Sequence, residues 1–599
     1  MRPMGDAPTN DAMPSTRGLD FYRADPNLEF VCSTVMDAET FARARPHLVA
    51  MGQVAGGELD ALAAEADRNP PVLRAFDPRG VRVDEVVFHP AYRRMEEIAF
   101  ARFGLAAMSH REGVLGWPGR VPHVVKYALS YLFAQAEFGL LCPVSVTDST
   151  SRMLRRFADA ELAAAYLPRL TSTDPAQLWQ GTQWMTERSG GSDVGASTTV
   201  ARRDASGTWR LWGAKWFCSN AGADVAVTLA RPEGAPAGTA GLAMFLVPKV
   251  LPDGARNAWT IDRLKEKLGS RSMATGEVTY AGAVAFPVGA LDRGFKQMME
   301  MVNVSRLSNA MRAAGIMRRA LLEAVVHARA RAAFGRALAD LPLLRADLLE
   351  LLLDAEAAAS VVLHGAALLD RADAGDVDAA RLLRVVTPLA KCWITARARA
   401  VAGEAMNVRG GNGYVEEWPN ARLLRDAHLG AIWEGSTNVV ALDVQRAILR
   451  HGAHEALGGF ARARLAAVTT PAARPWIEVV RAALDGLLRQ AGGWWAGPPE
   501  EREIAARPVA DALYHVLAAS LLFAEGQALL ARTGSWRKLV VAALYTKRWL
   551  HPAPIGLPAF AAAELAHLPA LLDWTPLAAG ALPSGPHPSV IARNSGAVA

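Results

Sequence analysis

The sequence predicts a mainly α-helical protein with a central β domain. Two observations predict it. Long segments with apolar residues at helical spacing lie on both sides of residues 176–290, whereas that interval is rich in Ser, Thr, Gly and β-branched residues in strand-like runs. The length of 599 residues suits several packed cores, and 51% hydrophobic with 21% charged residues describes a compact folded chain.

In chain order, residues 1–175 read as an N-terminal helical domain. It opens on a flexible leader, MRPMGDAPTNDAMPSTRGLD, and is interrupted by the loop NPPVLRAFDPRG at 69–80. Residues 176–290 form the β domain through TTVARR, TWRLWGAKWF, VAVTLA, LAMFLVP and GEVTYAGAVAF. Residues 291–450 carry three long amphipathic segments, Phe295 to Ala332, Leu343 to Leu369 and Val377 to Met406, which imply a bundle. Residues 451–575 are a further helical region broken by GGWWAGPPEE and HPAPIGLP, and 576–599, rich in Pro, Gly and Ser, read as a disordered tail.

Composition narrows the function. Lys plus Arg number 65 against 59 Asp plus Glu, a net +6, far from the field of a dedicated nucleic-acid binder. Cys32, Cys142, Cys218 and Cys392 are widely separated with no CxxC spacing, which suits neither a disulfide framework nor a metal site and points to a reducing, cytoplasmic setting. No basic stretch followed by an apolar run marks a secretory signal. The apolar window Ala510 to Ala531 is interrupted by Asp511, His515 and Glu525, so it reads as a buried helix and not a membrane span.

Five segments carry chemical potential. In WMTERSGGSDV (184–194) the Gly-Gly turn lets backbone N–H groups approach a ligand beside the hydroxyls of Thr186 and Ser192; alone it is an ordinary polar turn. AKWFCSN (214–220) puts Trp216 and Cys218 on one strand face with Ser219 at the end, a surface suited to a planar heterocycle or simply to a core. RAAFG offers Arg331 as a cation for a diphosphate or merely for a helix C-terminus, with Phe334 beside it. NVRGGNGY places three glycines within four residues, more than a helix stop needs. In AIWEGSTNVV, Ser436 or Thr437 caps a helix, and Glu434 lies just before it beside Ile432 and Trp433, either an acid–base group or an ordinary glutamate.

The ordered set TERSGGSDV, KWFCSN, KLGSRSMATGEV, RAAFG, GGNGY and IWEGST resembles the acyl-CoA dehydrogenase flavoprotein family over about 120–450. The resemblance implies a helical domain, a β-barrel or sandwich domain and a four-helix bundle, with FAD between the last two. It implies that Met185, Thr186 and Ser192 face the flavin, with Trp216 and Cys218 or Ser219 at its other contacts. Arg331, Phe334, Asn407 and Gly411 match positions that hold the diphosphate and adenosine, largely across a subunit interface, and Ser436 and Asn438 match contacts beyond the base. Glu434 matches the usual catalytic base, and Arg306 and Trp433 fall at substrate positions. Some members carry the glutamate immediately before the bundle arginine, but here Ser305 precedes Arg306, which supports Glu434.

A narrower likeness runs through NPPVLRAFDPRGVRVDEVVFHPAY, LLCPVSVTDST, the Trp433 variant of IWEGS and the extra C-terminal helices, which look like the AidB branch tied to the DNA alkylation response. Two features depart from the family. Residues 451–599 hold 13 Lys plus Arg against 10 Asp plus Glu, only +3. Leu341 and Pro342 stand where many dehydrogenases show His-Gln. The expected protein is an FAD-dependent oxidoreductase acting on an acyl-CoA or a similar acidic C–H compound. It is a homodimer or homotetramer, holds no metal, touches no membrane and binds DNA at most weakly. The alternative is a DNA-associated flavoprotein with a vestigial pocket, and a third reading is oxidation of a nitroalkane-like substrate by the same base and flavin.

Overall fold

The computed structural model describes residues 13–493 and 497–586, which divide into two compact units. One comprises 57–308 with the short segment 433–436; the other comprises the N-terminal residues to 56, 309–432 and the chain from 437 onward.

In the first unit, strand β1 (Val72–Phe76), inside the stretch 69–80 read from sequence as a loop, pairs with β2 (Arg82–Val87) just beyond it as an antiparallel ribbon. Its Leu73 and Val86 pack on the β core, which is why this short ribbon persists. The β domain consists of β3 (Gly181–Trp184), β4 (Val200–Arg203), β5 (Trp209–Ser219), β6 (Val225–Pro232), β7 (Ala243–Pro248), β8 (Trp259–Leu264) and β9 (Thr275–Pro287). The pairings β6–β4–β5–β9–β7 return to β6 and close a barrel, with β3 added parallel to β6 and β8 added to β9. Closure needs bends. The register of β5 against β9 shifts between Leu211 and Trp212 and again between Lys215 and Cys218. Gly213, at φ 142°, sits where a Cβ would meet Thr199 Cα at 2.8 Å, so only glycine lets the two segments pass.

The helices His123–Ala134 and Leu141–Phe157 cover this domain from the N-terminal side. Thr147 Oγ1 accepts from Gly181 N at 3.0 Å and fixes the start of β3. Between these helices Asp148 is buried against Lys126 Nζ and His110 Nε2, both at 2.8 Å. Burial alone would raise that carboxyl; Lys126 and His110 outweigh it and hold it well below the usual range.

The second unit is helical. The helix Gly294–Ala330 begins in the first unit and continues here from 309, joined by Pro342–Asp373, Val377–Arg409 and Thr437–His451. The two-residue strands β10 (Ala332–Ala333) and β11 (Arg336–Ala337) form a hairpin after the first of these. The C-terminal helices are built into the same unit: Trp393 stacks on Tyr514 at 4.4 Å, and Lys538 pairs with Glu525 at 2.9 Å and Glu356 at 3.2 Å.

Two sequence expectations are corrected here. The leader is packed from its second half: Thr16 is buried and donates to Glu323, and Arg409 donates to the Pro14 carbonyl. Gly52 and Gly56 let Leu19 to Tyr22 lie directly on the helix Ala38–Val54, since a Cβ on Gly56 would meet the Leu19 carbonyl at 1.7 Å. The tail is likewise held to residue 586 in part, because Trp476 Nε1 donates to Pro583 O at 2.9 Å. The remainder of both segments, 1–12 and 587–599, and Trp494 to Ala496 of GGWWAGPPEE, lie outside the described residues. Two helices, Pro342–Asp373 and Pro499–Thr533, are long and apolar enough to cross a membrane, but 89% and 78% of their apolar windows are buried within the protein.

Candidate functional site

The first unit brings several predicted residues together around Glu434. The turn 431–436 separates the helix ending at Gly430 from the one beginning at Thr437, with Ser436 exposed just before its first turn. Glu434 has φ 57° and Gly435 φ 100°, so a non-glycine residue is held in the left-handed region, a strain that persists only where neighbours fix it. Three neighbours do so. Arg306, buried on the helix Gly294–Ala330, donates through Nε to the Glu434 carbonyl at 2.9 Å. Trp433 stacks on Phe138 at 5.5 Å and packs on Cys142, Val146 and Met273. Gln183 Nε2 donates to both carboxylate oxygens, at 3.1 and 3.4 Å.

Gln183 reaches Glu434 because strand side chains alternate. Thr182 and Trp184 are fully buried and bond the Ser219 carbonyl, so Gln183 and Met185 present the opposite face. Beyond Met185 the chain turns at 187–190, with Gly190 at φ 126° and Gly191 so close to Thr186 that a Cβ would meet its Oγ1 at 2.6 Å. Thr186 O accepts from Trp216 N at 2.8 Å, which sets the half-buried indole beside the Thr186 rim, with Lys265 Nζ 3.3 Å from its ring centre. Ser192 is exposed on the same turn. The turn is anchored by a buried ion pair: Lys215 Nζ donates to Glu187 Oε1 at 2.8 Å, and Thr198 and Thr199 donate to the same carboxylate. Burial alone would raise Glu187; Lys215 and the threonine donors outweigh it and hold the carboxyl at about 2.

One placement differs from the sequence reading. Cys218 does not share a face with Trp216; the register shift after Lys215 turns its side chain into the β core, where it is fully buried and its thiol is pushed well up. Ser219, at the strand end, stays half-buried. Arg306 donates through Nε to the Glu434 backbone, so within this unit it supports the loop that carries Glu434. Sequence reasoning misses Gln183 and Phe138. The alternation Thr-Gln-Trp is a signal for the first, but a stacking partner 295 residues away from Trp433 in sequence leaves no local trace.

The other predicted residues lie in the second unit. Arg331 ends the helix before the β10–β11 hairpin and its carbonyl accepts from Leu338 N at 2.9 Å. Phe334, at the hairpin tip with φ 53°, is 90% exposed, an aromatic ring presented to solvent by a strained backbone. Asn407 donates to Glu404 at 3.2 Å in the last turn of Val377–Arg409; Gly411 follows, exposed, and Asn438 is exposed in the first turn of Thr437–His451. Among the described residues, no group of three His, Cys, Asp or Glu is arranged to hold a metal.

Three family models match the chain: the AidB adaptive response protein N-terminal domain over 11–175, the acyl-CoA dehydrogenase middle domain over 182–283 and the acyl-CoA dehydrogenase C-terminal domain over 292–449. The chain is 33% identical over 436 residues to acyl-CoA dehydrogenase family member 11 of Caenorhabditis elegans, covering 71% of this chain and 70% of that one. It is 36% identical over 413 residues to the putative acyl-CoA dehydrogenase AidB of Escherichia coli, covering 67% and 73%. Its fold matches the crystal structure of Caenorhabditis elegans ACDH-11 in complex with C11-CoA with a TM-score of 0.83 at 27% identity, covering 93% and 94%.

Proposed function

Because this chain belongs to the acyl-CoA dehydrogenase family, and to its AidB-like members, we propose that it is an FAD-dependent oxidoreductase that removes the α proton of an acyl thioester with Glu434. The observation that carries this reading is the Glu434 carboxylate itself, fixed by a strained backbone and a two-oxygen hydrogen bond beside an aromatic wall. A carboxylate presented in this way is positioned to take a proton.

The residues present fit FAD. The Gly190–Gly191 turn leaves backbone open beside Thr186, where a Cβ on Gly191 would collide, and the Trp216 indole is half-exposed beside it. Met185, Thr186 and Ser192 would line the ring, and Arg331, Phe334, Asn407 and Gly411 of another copy would hold the diphosphate and adenosine, with Ser436 and Asn438 adding contacts. The chemistry FAD supplies when bound is acceptance of a hydride from the β carbon. What this chain does is take the proton at a Glu434 carboxylate oxygen, exclude water with Trp433 and Phe138, and hold the loop through Arg306.

An anaerobic titration with acyl-CoAs tests the reading: the yellow protein should bleach, and protein that stays colourless with added FAD would defeat it. Arg331→Ala should weaken FAD retention by about 1.5–3 kcal/mol, the worth of a charge-assisted diphosphate contact, read by flavin release on dilution. Trp433 limits substrate width, so Trp433→Ala should shift the preference between bulky and short acyl-CoAs by roughly tenfold towards the bulky ones, since a methylene in an apolar pocket is worth about 1–3 kcal/mol.

The same reading makes the protein a cytoplasmic homodimer or homotetramer, in keeping with four free, buried cysteines and an exposed Phe334. DNA binding is weak at most, because the C-terminal excess of cations is small and several of them are already engaged. Arg537 and Lys538 are buried on Glu356, Arg548 pairs with Glu350, Lys547 with Glu564 and Arg462 with Asp485.

A further inference from the structure

Gln183 is placed to do more than fill space. Its amide nitrogen lies in the fork of the Glu434 carboxylate, donating to both oxygens, while its own Oε1 is buried and, among the described residues, meets no donor. A buried acceptor left without a donor is unfavourable, and turning the carboxamide over would not help while Glu434 is charged, because its oxygen would then face a carboxylate. The anionic glutamate therefore selects the orientation with nitrogen inward. Once Glu434 holds a proton, the balance reverses: the new O–H is a donor, and the Gln183 oxygen is the acceptor within reach.

The geometry points to Gln183 as a positioning residue for Glu434, a carboxamide that holds the base while it is anionic and, turned over, receives the hydroxyl of the protonated acid. The inference rests on the proposed role of Glu434 as base. It adds no bond-making step: the proton passes from the substrate α carbon to a Glu434 oxygen as before, and Gln183 matches its hydrogen bond to each state. The charged group bonded to this loop is Arg306 of the helix Gly294–Ala330, whose bond goes to the Glu434 backbone carbonyl and is the same in both states. The aromatic wall of Trp433 and Phe138 offers no competing charge.

The test replaces the amide without changing its bulk. In flavin-free protein, the Glu434 carboxylate is identified by infrared spectroscopy as the band lost in Glu434→Gln, and its intensity is followed against pH. Gln183→Met removes the donor to the charged form, so the midpoint should move to higher pH by about one unit, a tenfold change in proton affinity. Gln183→Glu sets a like charge in its place and should move it further in the same direction. In the FAD-loaded protein, Gln183→Met should slow bleaching by acyl-CoA at pH 7 with the half-saturating concentration unchanged. A midpoint that stays with wild type in both variants overturns the proposal. If the midpoint moves but no acyl-CoA bleaches any form, the positioning stands and the substrate reading falls, so the two failures are distinguishable.

Discussion

Glu434→Gln is expected to retain FAD and the fold while bleaching by a genuine acyl-CoA substrate slows by about 100-fold or more, the typical worth of a positioned general base. Glutamine keeps the shape, the left-handed backbone and the Arg306 bond to the carbonyl, since that bond goes to the main chain. It loses the capacity to accept a proton and one of the two bonds from Gln183. The neighbouring Gln183 amide cannot substitute, and the residue before Arg306 is Ser305, so the helix Gly294–Ala330 places no carboxylate immediately before that arginine. Stopped-flow bleaching of both forms measures the effect. If Glu434→Gln bleached as fast as wild type, Glu434 would be structural and the chemistry would lie elsewhere.

How much of this is legible in the sequence follows from which interactions are local. The helical segments and the β interval are readable because both signals are written in consecutive residues, the 3.6-residue period in Val377–Arg409 and the continuous apolar, β-branched run in Val225–Pro232. Glu434 is readable because Trp433 and the helix-start signal Ser436-Thr437 stand next to it. Cys218 is misplaced from sequence because a register shift, invisible in the strand's own residues, reverses which side chains face the core. The first strand of the 72–87 ribbon reads as loop because Asn69, Pro70, Pro71 and the Asp77–Gly80 turn dominate 69–80, whereas packing of Leu73 and Val86 on the β core holds the ribbon as strands. The packed half of the leader escapes for the same reason: Thr16 meets Glu323, a residue 307 positions away.

The largest stability effect is expected from Lys215→Met. Lys215 lies on β5 with its side chain fully enclosed, and all three of its donors are used: Glu187 Oε1 at 2.8 Å, Leu229 O at 3.0 Å and Met185 O at 3.4 Å. Glu187 in turn accepts from the backbone and hydroxyls of Thr198 and Thr199. Methionine fits the apolar stem but leaves the carboxylate buried without its cation and takes one donor away from each of two carbonyls, a loss of about 3–5 kcal/mol. The carboxyl responds in the same direction, since Lys215 and the threonine donors outweigh its burial and hold it at about 2. The sign with pH follows: Glu187 is lowered in the folded state, so its contribution is complete above the ordinary carboxylate value and is lost as pH falls from there towards 2. Urea unfolding followed by tryptophan fluorescence should therefore separate wild type from Lys215→Met widely at pH 7 and much less at pH 3. Because the pair anchors the turn that carries Thr186 and the glycines, FAD should be released at a lower urea concentration than the one that melts the helices. Adding Glu187→Gln to Lys215→Met should recover part of the loss, because a neutral amide no longer leaves a bare charge buried. Equal unfolding midpoints for wild type and the single variant at pH 7 would show that the ion pair contributes nothing to this domain.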